Sequence, residues 1–362
     1  MNAKPIRLII VGTGSMAAQH ARRFGAMEGV EVVAGVDLDP ERVQAFCREH
    51  GIGRWFTDLG AALEWGAFDA VANVTPDSAH HATTMPVLAH RKHVFCEKPL
   101  ATSHADASAM TQAAQEAQVV AMVNLSYRSV PALQKARQLV TAGELGEVRH
   151  VEASYLQSWL ASRYWGDWRT ESRWLWRLSR QHGSNGVLGD VGIHILDFAS
   201  YGTASEIEKV SCRLKAFHKA ENDRIGEYVL DANDSFVMAV EFANGALGTI
   251  HATRWATGYA DDLRLRIFGS RGSLEVSYGG RGEDGQRISH LRACLGRDIE
   301  THSWRDIPLD PVESNYERFI RAIRQGETLE PSFGHAANLQ RIFDLALETE
   351  ATLPKDTMAA SA

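Results

Sequence analysis

The stretch Ile6–Val11 followed by Gly12-Thr13-Gly14-Ser15-Met16-Ala17 constrains the fold of this chain more than any other. An apolar run of strand character stops at a glycine, and an amphipathic stretch, Met16–Met27, begins at once. The first glycine permits a tight turn, the second lets the backbone approach a ligand, and the small Ala17 allows helix to pack on strand. The start of such a helix offers free N–H groups and partial positive charge to an anion. The same alternation continues. Glu31–Val36, Ala70–Val74, His93–Cys96 and Val119–Val123 read as strands, with helical patterns at Pro40–His50, Ser78–His90 and Ser103–Gln118 between them. Alternating β and α elements imply a parallel sheet covered by helices on both faces.

Near Tyr127-Arg128-Ser129-Val130-Pro131 the pattern changes. A helix over about Ala132–Ala142 is followed by strand-like runs at Val148–Leu156, Ile207–Phe217, Ser235–Phe242, Ala246–Thr253, Leu263–Phe268 and Ser273–Val276. Asn244-Gly245 is a hairpin signal, and Ser270-Arg271-Gly272-Ser273 reads as another turn. Helical patterns return at Glu313–Arg324 and Ala336–Thr352, and the tail Met358–Ala362 reads as frayed. The expected fold is an α/β Rossmann domain over residues 1–125, then an α+β domain over residues 126–362 with a large, mostly antiparallel open sheet. A chain of 362 residues exceeds one ordinary core and suits two domains.

A net charge of −7 argues against nucleic acid as the main partner. The four cysteines, Cys47, Cys96, Cys212 and Cys294, form no CxxC pair, which suggests a reducing compartment and no structural zinc. No apolar run approaches a membrane span, and the start of the chain lacks a signal-peptide core. The expected setting is the cytoplasm, with no membrane partner.

Gly12, Thr13, Gly14, Ser15 and Met16 therefore form a candidate dinucleotide cradle. Asp37 ends the second strand, 25 residues beyond Gly12, where an acid accepts hydrogen bonds from ribose hydroxyls and repels an extra phosphate. The next residues, Leu38-Asp39-Pro40, include no Arg or Lys, so NAD is favoured over NADP. Asp39 before Pro40 already fits the ordinary role of a helix-capping acid. Ligands of a doubly wound sheet lie outside the carboxyl ends of its strands, so Thr75, Pro76 and His80 would line the same cleft, beside ordinary turn and capping duties.

Glu97-Lys98-Pro99 ends a further strand and should face that cleft. Proline disfavours helical geometry in the residue before it, so Lys98 should be extended or in a turn. A rigidly held ammonium can hydrogen-bond a substrate oxygen, although taken alone the tripeptide also reads as a surface turn. In Gly189-Asp190-Val191-Gly192-Ile193-His194-Ile195-Leu196-Asp197, a helix would put Asp190 and His194 at i,i+4 on one face, with Asp197 near the same stripe. Histidine is the common general base near neutral pH. In isolation the pattern also suits a capping aspartate and a satisfied core histidine. A metal reading through His182, Asp190 and His194 lacks a tight third ligand, so no metal is expected.

Taken together, these motifs resemble the glucose–fructose oxidoreductase / inositol dehydrogenase family (Gfo/Idh/MocA) over nearly the whole length. The resemblance rests on residues 12–17, Thr75-Pro76 with His80, Glu97-Lys98-Pro99, Tyr127-Arg128, Trp176-Arg177, Asp190-x-Gly192-x-His194-x-x-Asp197 and Pro331-Ser332-Phe333. It implies oxidation of a pyranoside or cyclitol with a nicotinamide cofactor. By carry-over, Lys98 and His194 are the catalytic pair and Asp190 holds the substrate hydroxyl. Trp176 and Arg177 match positions that touch the nicotinamide end or the substrate, Arg128 falls at the substrate, and Glu97 helps place cofactor or lysine. Gly183-Ser184-Asn185-Gly186 departs from the consecutive glycines common in the family, which bears on substrate preference.

Five of the nine tryptophans fall within residues 159–176, interleaved with arginines. Aromatic faces stack on sugar C–H surfaces and Arg forks bind hydroxyls or carboxylates, so this segment reads either as a pocket wall or as core or interface packing. The leading expectation is an oxidoreductase moving a hydride from a secondary hydroxyl of a sugar, sugar derivative or cyclitol to NAD. Alternatives are an NAD-dependent glycosidase or glycoside 3-oxidising enzyme, and a non-catalytic cofactor sensor on the same fold. An open sheet face invites a homodimer or homotetramer.

Overall fold

The computed structural model describes residues 4–283 and 285–352, so the Met358–Ala362 tail lies outside the described residues. The chain divides into two compact units. The first takes in the described residues up to Ser126 together with Glu313–Arg341; the second takes in Tyr127–Val312 and the described residues from Ile342.

In the first unit the elements run β1 (Ile6–Val11), α1 (Ala17–Gly25), β2 (Val30–Val36), α2 (Pro40–Glu49), β3 (Trp55–Phe56), α3 (Leu59–Trp65), β4 (Ala70–Asn73), α4 (His80–Ala89), β5 (His93–Cys96), α5 (His104–Ala117) and β6 (Ala121–Val123). The strands form one sheet in the order β3-β2-β1-β4-β5-β6, every pair parallel. Parallel pairing explains the sequence pattern: β1, β4 and β5 carry almost unbroken apolar runs because helices cover both faces. Asp39 caps α2, accepting from Glu41 N and Arg42 N, and Pro40 fits the first turn, where its missing N–H costs nothing.

Near the far end of the sequence, α10 (Asn315–Gln325) returns to this unit behind a capping box between Ser314 and Glu317. Its Tyr316, Phe319 and Ile320 complete the aromatic core formed with Phe24 and Phe95. Val123 N also donates to Pro331 O at 3.0 Å, extending the β6 edge.

The second unit holds α6 (Pro131–Thr141), β7 (Val148–Gln157), α7 (Ser172–Leu175), α8 (Ile193–Thr203), β8 (Ile207–Lys215), β9 (Arg224–Ile225), β10 (Tyr228–Val229), β11 (Ser235–Phe242), β12 (Leu247–Thr253), β13 (Asp261–Gly269), β14 (Gly272–Gly279), β15 (Ile288–Leu295), α9 (Asp298–Thr301) and β16 (Arg305–Asp306). Eight strands form one sheet in the order β16-β15-β14-β13-β7-β12-β11-β8. All its pairs are antiparallel except β7 with β12. The β11–β12 hairpin turns at Asn244-Gly245, where Gly245 has φ +82°. The β13–β14 hairpin turns through Ser270-Arg271. Helices α6 and α8 pack on each other and against this sheet, and α8 is buried along nearly its whole length. The final helix, α11, spans Phe333–Thr352. Among the described residues no helix is long and apolar enough to cross a membrane.

Candidate active site

The carboxyl edge of the parallel sheet collects most of the residues expected to bind cofactor. Backbone bonds climb across it strand by strand: Gly12 N to Val36 O, Val74 N to Val11 O, Glu97 N to Asn73 O and Asn124 N to Cys96 O. Gly12, Thr75 and Glu97 therefore leave their strands on one side. Gly12 has φ +85°, and a Cβ there would meet Val74 O at 2.7 Å, so only glycine fits. A Cβ on Gly14 would meet nothing within 4 Å, and Ser15 and Met16 are exposed, so the backbone of this loop is open. No side chain caps the start of α1. An open glycine loop leading into an uncapped helix N-terminus fits a dinucleotide pyrophosphate.

Asp37 is engaged more closely with its own chain than the sequence suggests. Its Oδ2 accepts from Thr13 N at 2.8 Å and Thr13 Oγ1 at 2.9 Å, and Oδ1 accepts from Asp39 N at 3.0 Å. Burial pushes its carboxyl up, but these bonds and the charge of Arg42 outweigh that and hold it below the usual range. Arg42, five residues on in α2, reaches back to 3.5 Å from Asp37 and 2.9 Å from Asp39. A basic group thus stands beside Asp37 although none follows it immediately in sequence.

Thr75 donates through Oγ1 to Asn73 Oδ1 at 2.8 Å, and Pro76 is exposed at the turn. His80 is fully buried. Its two ring nitrogens lie 2.7 Å from Pro99 O and 2.9 Å from Thr75 O, so it ties the Thr75-Pro76 turn to the Lys98-Pro99 segment. Glu97 is fixed from both sides: His20 Nε2 lies 2.7 Å from Oε1, Asn124 Nδ2 donates to the same oxygen at 2.8 Å, and Lys98 N donates to Oε2 at 3.2 Å. Burial raises the Glu97 carboxyl, but the His20 bond and charge, the Asn124 amide and the Lys98 charge outweigh it and bring it to about 2. His20 had no distinguishing signal in sequence; it is a helix residue fully buried against Phe95 and Tyr316.

In the second unit the expected regular helix through Asp190 and His194 is interrupted. Leu188–Gly192 forms a π-helical turn, and α8 begins at Ile193. A Cβ on Gly189 would meet Asn185 Cβ at 2.4 Å, so the tight path of this turn explains the glycine. Single π turns recur at functional sites because the wider turn re-aims side chains. Asp190 is gripped at both oxygens: Arg177 Nη1 at 3.1 Å from Oδ1 and Arg254 Nη2 at 3.0 Å from Oδ2. Arg254 is wholly buried and was not singled out from sequence; a lone arginine 64 residues from its partner leaves no local signal. His194 is 9% exposed and meets the Tyr127 ring edge-on at 4.9 Å. Tyr127 OH bonds Tyr155 OH at 2.5 Å; burial, then the nearby charge of Asp261, push the Tyr127 phenol up to about 12, so it stays protonated near neutrality.

Arg128, expected at the substrate, is 2% exposed. It donates through Nε to Asp197 Oδ1 at 2.8 Å and lies 4.0 Å over Tyr201, so it anchors α8. The tryptophan segment divides. Trp159 and Trp168 are buried with Leu160, Leu175, Leu178 and Leu230, whereas Trp176 is 40% exposed with Arg177 stacked on it at 4.7 Å. His182 lies 3.0 Å from Ser179 Oγ and packs on Tyr228. Among the described residues no group of three or more His, Cys, Asp or Glu side chains is arranged to hold a metal ion.

A glycine-loop parallel sheet with an acid at its second strand, joined in sequence to a unit built on a large open sheet, fits a dinucleotide-binding protein of two domains. Residues 6–125 match the family described as "Oxidoreductase family, NAD-binding Rossmann fold", and residues 133–275 match "GFO/IDH/MocA C-terminal domain". An oxidoreductase domain protein from Kribbella flavida is 30% identical, with a TM-score of 0.82 over 97% of this chain and 98% of that one. Levoglucosan dehydrogenase from Pseudarthrobacter phenanthrenivorans is 24% identical over 94% of this chain and 95% of the relative. The NAD(+)-dependent scyllo-inositol 2-dehydrogenase of Bacillus subtilis is 27% identical over 75% and 73%. The fold of a levoglucosan dehydrogenase solved with NADH and levoglucosan superposes with a TM-score of 0.79 at 23% identity, covering 96% of this chain and 98% of that one. The chain belongs to the GFO/IDH/MocA oxidoreductase family, and its cofactor is NAD.

Proposed function

We propose that this protein oxidises a secondary hydroxyl of a sugar, sugar derivative or cyclitol, with NAD as acceptor. What carries the reading is the position of Lys98. It follows β5 on the same sheet edge as the glycine loop, and its neighbour Glu97 is fixed by His20 and Asn124. The names of the relatives, levoglucosan and inositol dehydrogenases, supply the substrate class. Gly12, Thr13, Gly14, Ser15, Met16, Asp37, Thr75, Pro76 and Glu97 would hold the cofactor, with His80 bracing the loops.

NAD, when bound, supplies the hydride acceptor. In the proposed reaction Lys98 donates a hydrogen bond to the reacting oxygen and stabilises its developing negative charge. His194 takes the hydroxyl proton, its ring oriented by Tyr127. Asp190 accepts from a substrate hydroxyl, held in place by Arg177 and Arg254. Proton and hydride together account for the two-electron oxidation of the alcohol. Trp176 offers an exposed aromatic face beside Arg177 for the sugar ring. The test is NADH formation over a panel of sugars, cyclitols and glycosides. Silence with every polyol, alongside cleavage of an aryl glycoside without net NADH, would point to the glycosidase chemistry instead.

We also propose a cytoplasmic homodimer or homotetramer. Four free, buried cysteines support a reducing compartment. Val237 and Leu247, 54% and 59% exposed on adjacent strands of the second sheet, support an association face there. Light scattering on the purified protein gives the mass that decides it.

A further inference from the structure

The groups around Asp190 carry an imbalance of both charge and hydrogen-bond donors. Asp190 alone faces two guanidinium groups, Arg177 at 3.1 Å and Arg254 at 3.0 Å. The next acid whose charge reaches Arg254 is Asp234, and it is already paired with Lys219 at 2.7 Å, both side chains fully buried. Lys219 also faces Asp223, so the outer charges balance among themselves, and at Asp190 itself two guanidinium groups meet one carboxylate, leaving one positive charge in surplus there. The donors are unbalanced in the same place. Arg177 Nε, Arg254 Nε and Trp174 Nε1 are buried without an acceptor, against a single buried acceptor without a donor, Asp234 Oδ1, among these groups. These side chains are contiguous: Arg254 lies 4.8 Å over Trp159, Trp159 stacks on Trp174 at 5.3 Å, and Arg177 lies 6.0 Å from Trp174. A buried donor left unmatched is costly, so such a cluster marks where an acceptor from outside the chain belongs. Access exists, because the Arg177 side chain is 32% exposed and the Trp176 stacked on it 40% exposed.

We propose that the substrate carries a carboxylate, as in a hexuronate or aldonate, and that Arg177 binds it. This rests on the polyol-oxidation reading above and specifies its substrate class. The guanidinium fork matches a planar carboxylate through two parallel N–H bonds. A monoanion cancels the single surplus charge, whereas a phosphate monoester brings closer to two. Neutral hydroxyls satisfy donors but leave the charge unbalanced in a partly desolvated site. Trp176 walls the ring of the sugar while Asp190, held by its two arginines, accepts from a hydroxyl.

The test compares kcat/KM for NADH formation with matched pairs, a hexose and the hexuronate of the same configuration, and their aldonates. It is run on wild-type protein, Arg177→Gln and Arg177→Lys. The expected result is a preference of about ten- to a hundredfold for the acid in wild type. That ratio should collapse in Arg177→Gln and partly return in Arg177→Lys. Because each variant is its own control through the neutral partner, a general disturbance of Asp190 leaves the ratio unmoved. Equal or better use of the neutral sugars by wild type overturns the proposal while leaving polyol oxidation intact. So does an unchanged ratio in Arg177→Gln, including the case where only the affinity for NAD falls. Absence of NADH with acid and neutral polyols alike is the separate failure of the parent reading.

Discussion

At the residue scale, Lys98 gains its placement from Glu97, whose two oxygens are committed to His20, Asn124 and the Lys98 amide. In the proposed reaction a lysine so presented would act by one hydrogen bond and one charge at the reacting oxygen. Lys98→Ala should therefore lower turnover by about a hundred- to ten-thousandfold while sparing NAD affinity, as steady-state kinetics and a cofactor titration would show. Asp37 belongs to the same scale. In the proposed cofactor site its carboxylate would repel a ribose phosphate, yet Arg42 stands 3.5 Å away. Asp37→Ser removes the repulsion and frees the guanidinium, so the NADP/NAD ratio of kcat/KM should rise by about tenfold or more. An unchanged ratio would mean that Arg42 does not reach the ribose. Asp37 was legible from its place at a strand end; Arg42 was not, because helix α2 folds it back from five positions away.

At the element scale, the π turn over Leu188–Gly192 sets where Asp190 points. Gly189→Ala would drive a Cβ into Asn185 and shift that turn. A shift of about 1 Å at such a site costs on the order of a hundredfold in turnover, so kcat/KM should fall while NAD binding holds. The β5–α1 contact through Glu97 and His20 makes a pH prediction. Glu97 is lowered from 4.5 to about 2, so its stabilisation is fully present above about pH 4.5 and is lost as pH falls toward 2. Glu97→Gln should be less stable than wild type at pH 7, and chemical denaturation should show the gap closing below pH 4.5. A constant gap across that range would remove the carboxylate as its cause. The sequence pattern marks the strands of the parallel sheet within a residue or two, because burial on both faces leaves apolar runs. It passes over β15, where Ile288, His290 and Arg292 alternate with Leu291 and Ala293 on a half-exposed strand, and the short β3 and α3. The π turn is equally silent, since the same residues fit a regular helix.

At the scale of the whole molecule, the NAD-binding Rossmann match and most residues proposed to hold the cofactor lie in one unit, and the Arg177–Asp190–Arg254 cluster and His194 in the other. The alternation of β and α patterns distinguished the first from the antiparallel unit that follows. The return of Glu313–Arg341 to the first unit left no mark, because an amphipathic helix such as α10 does not say which sheet it covers. The parallel pairing of β7 with β12 is likewise a long-range fact. Division of labour has a measurable consequence: NAD should raise the melting temperature of wild type and of Arg254→Met by similar amounts, although Arg254→Met loses turnover with its grip on Asp190. Unequal shifts would tie Arg254 to cofactor binding. The central claim, polyol oxidation through Lys98, is tested most directly by NADH formation from wild type and Lys98→Ala side by side over neutral polyols, sugar acids and aryl glycosides, with the NAD-induced thermal shift taken on both. NADH should accumulate with at least one polyol in wild type and fall at least about a hundredfold in the variant, with the two shifts equal. Near-normal turnover in Lys98→Ala, or no NADH from any polyol while an aryl glycoside is split, would contradict it.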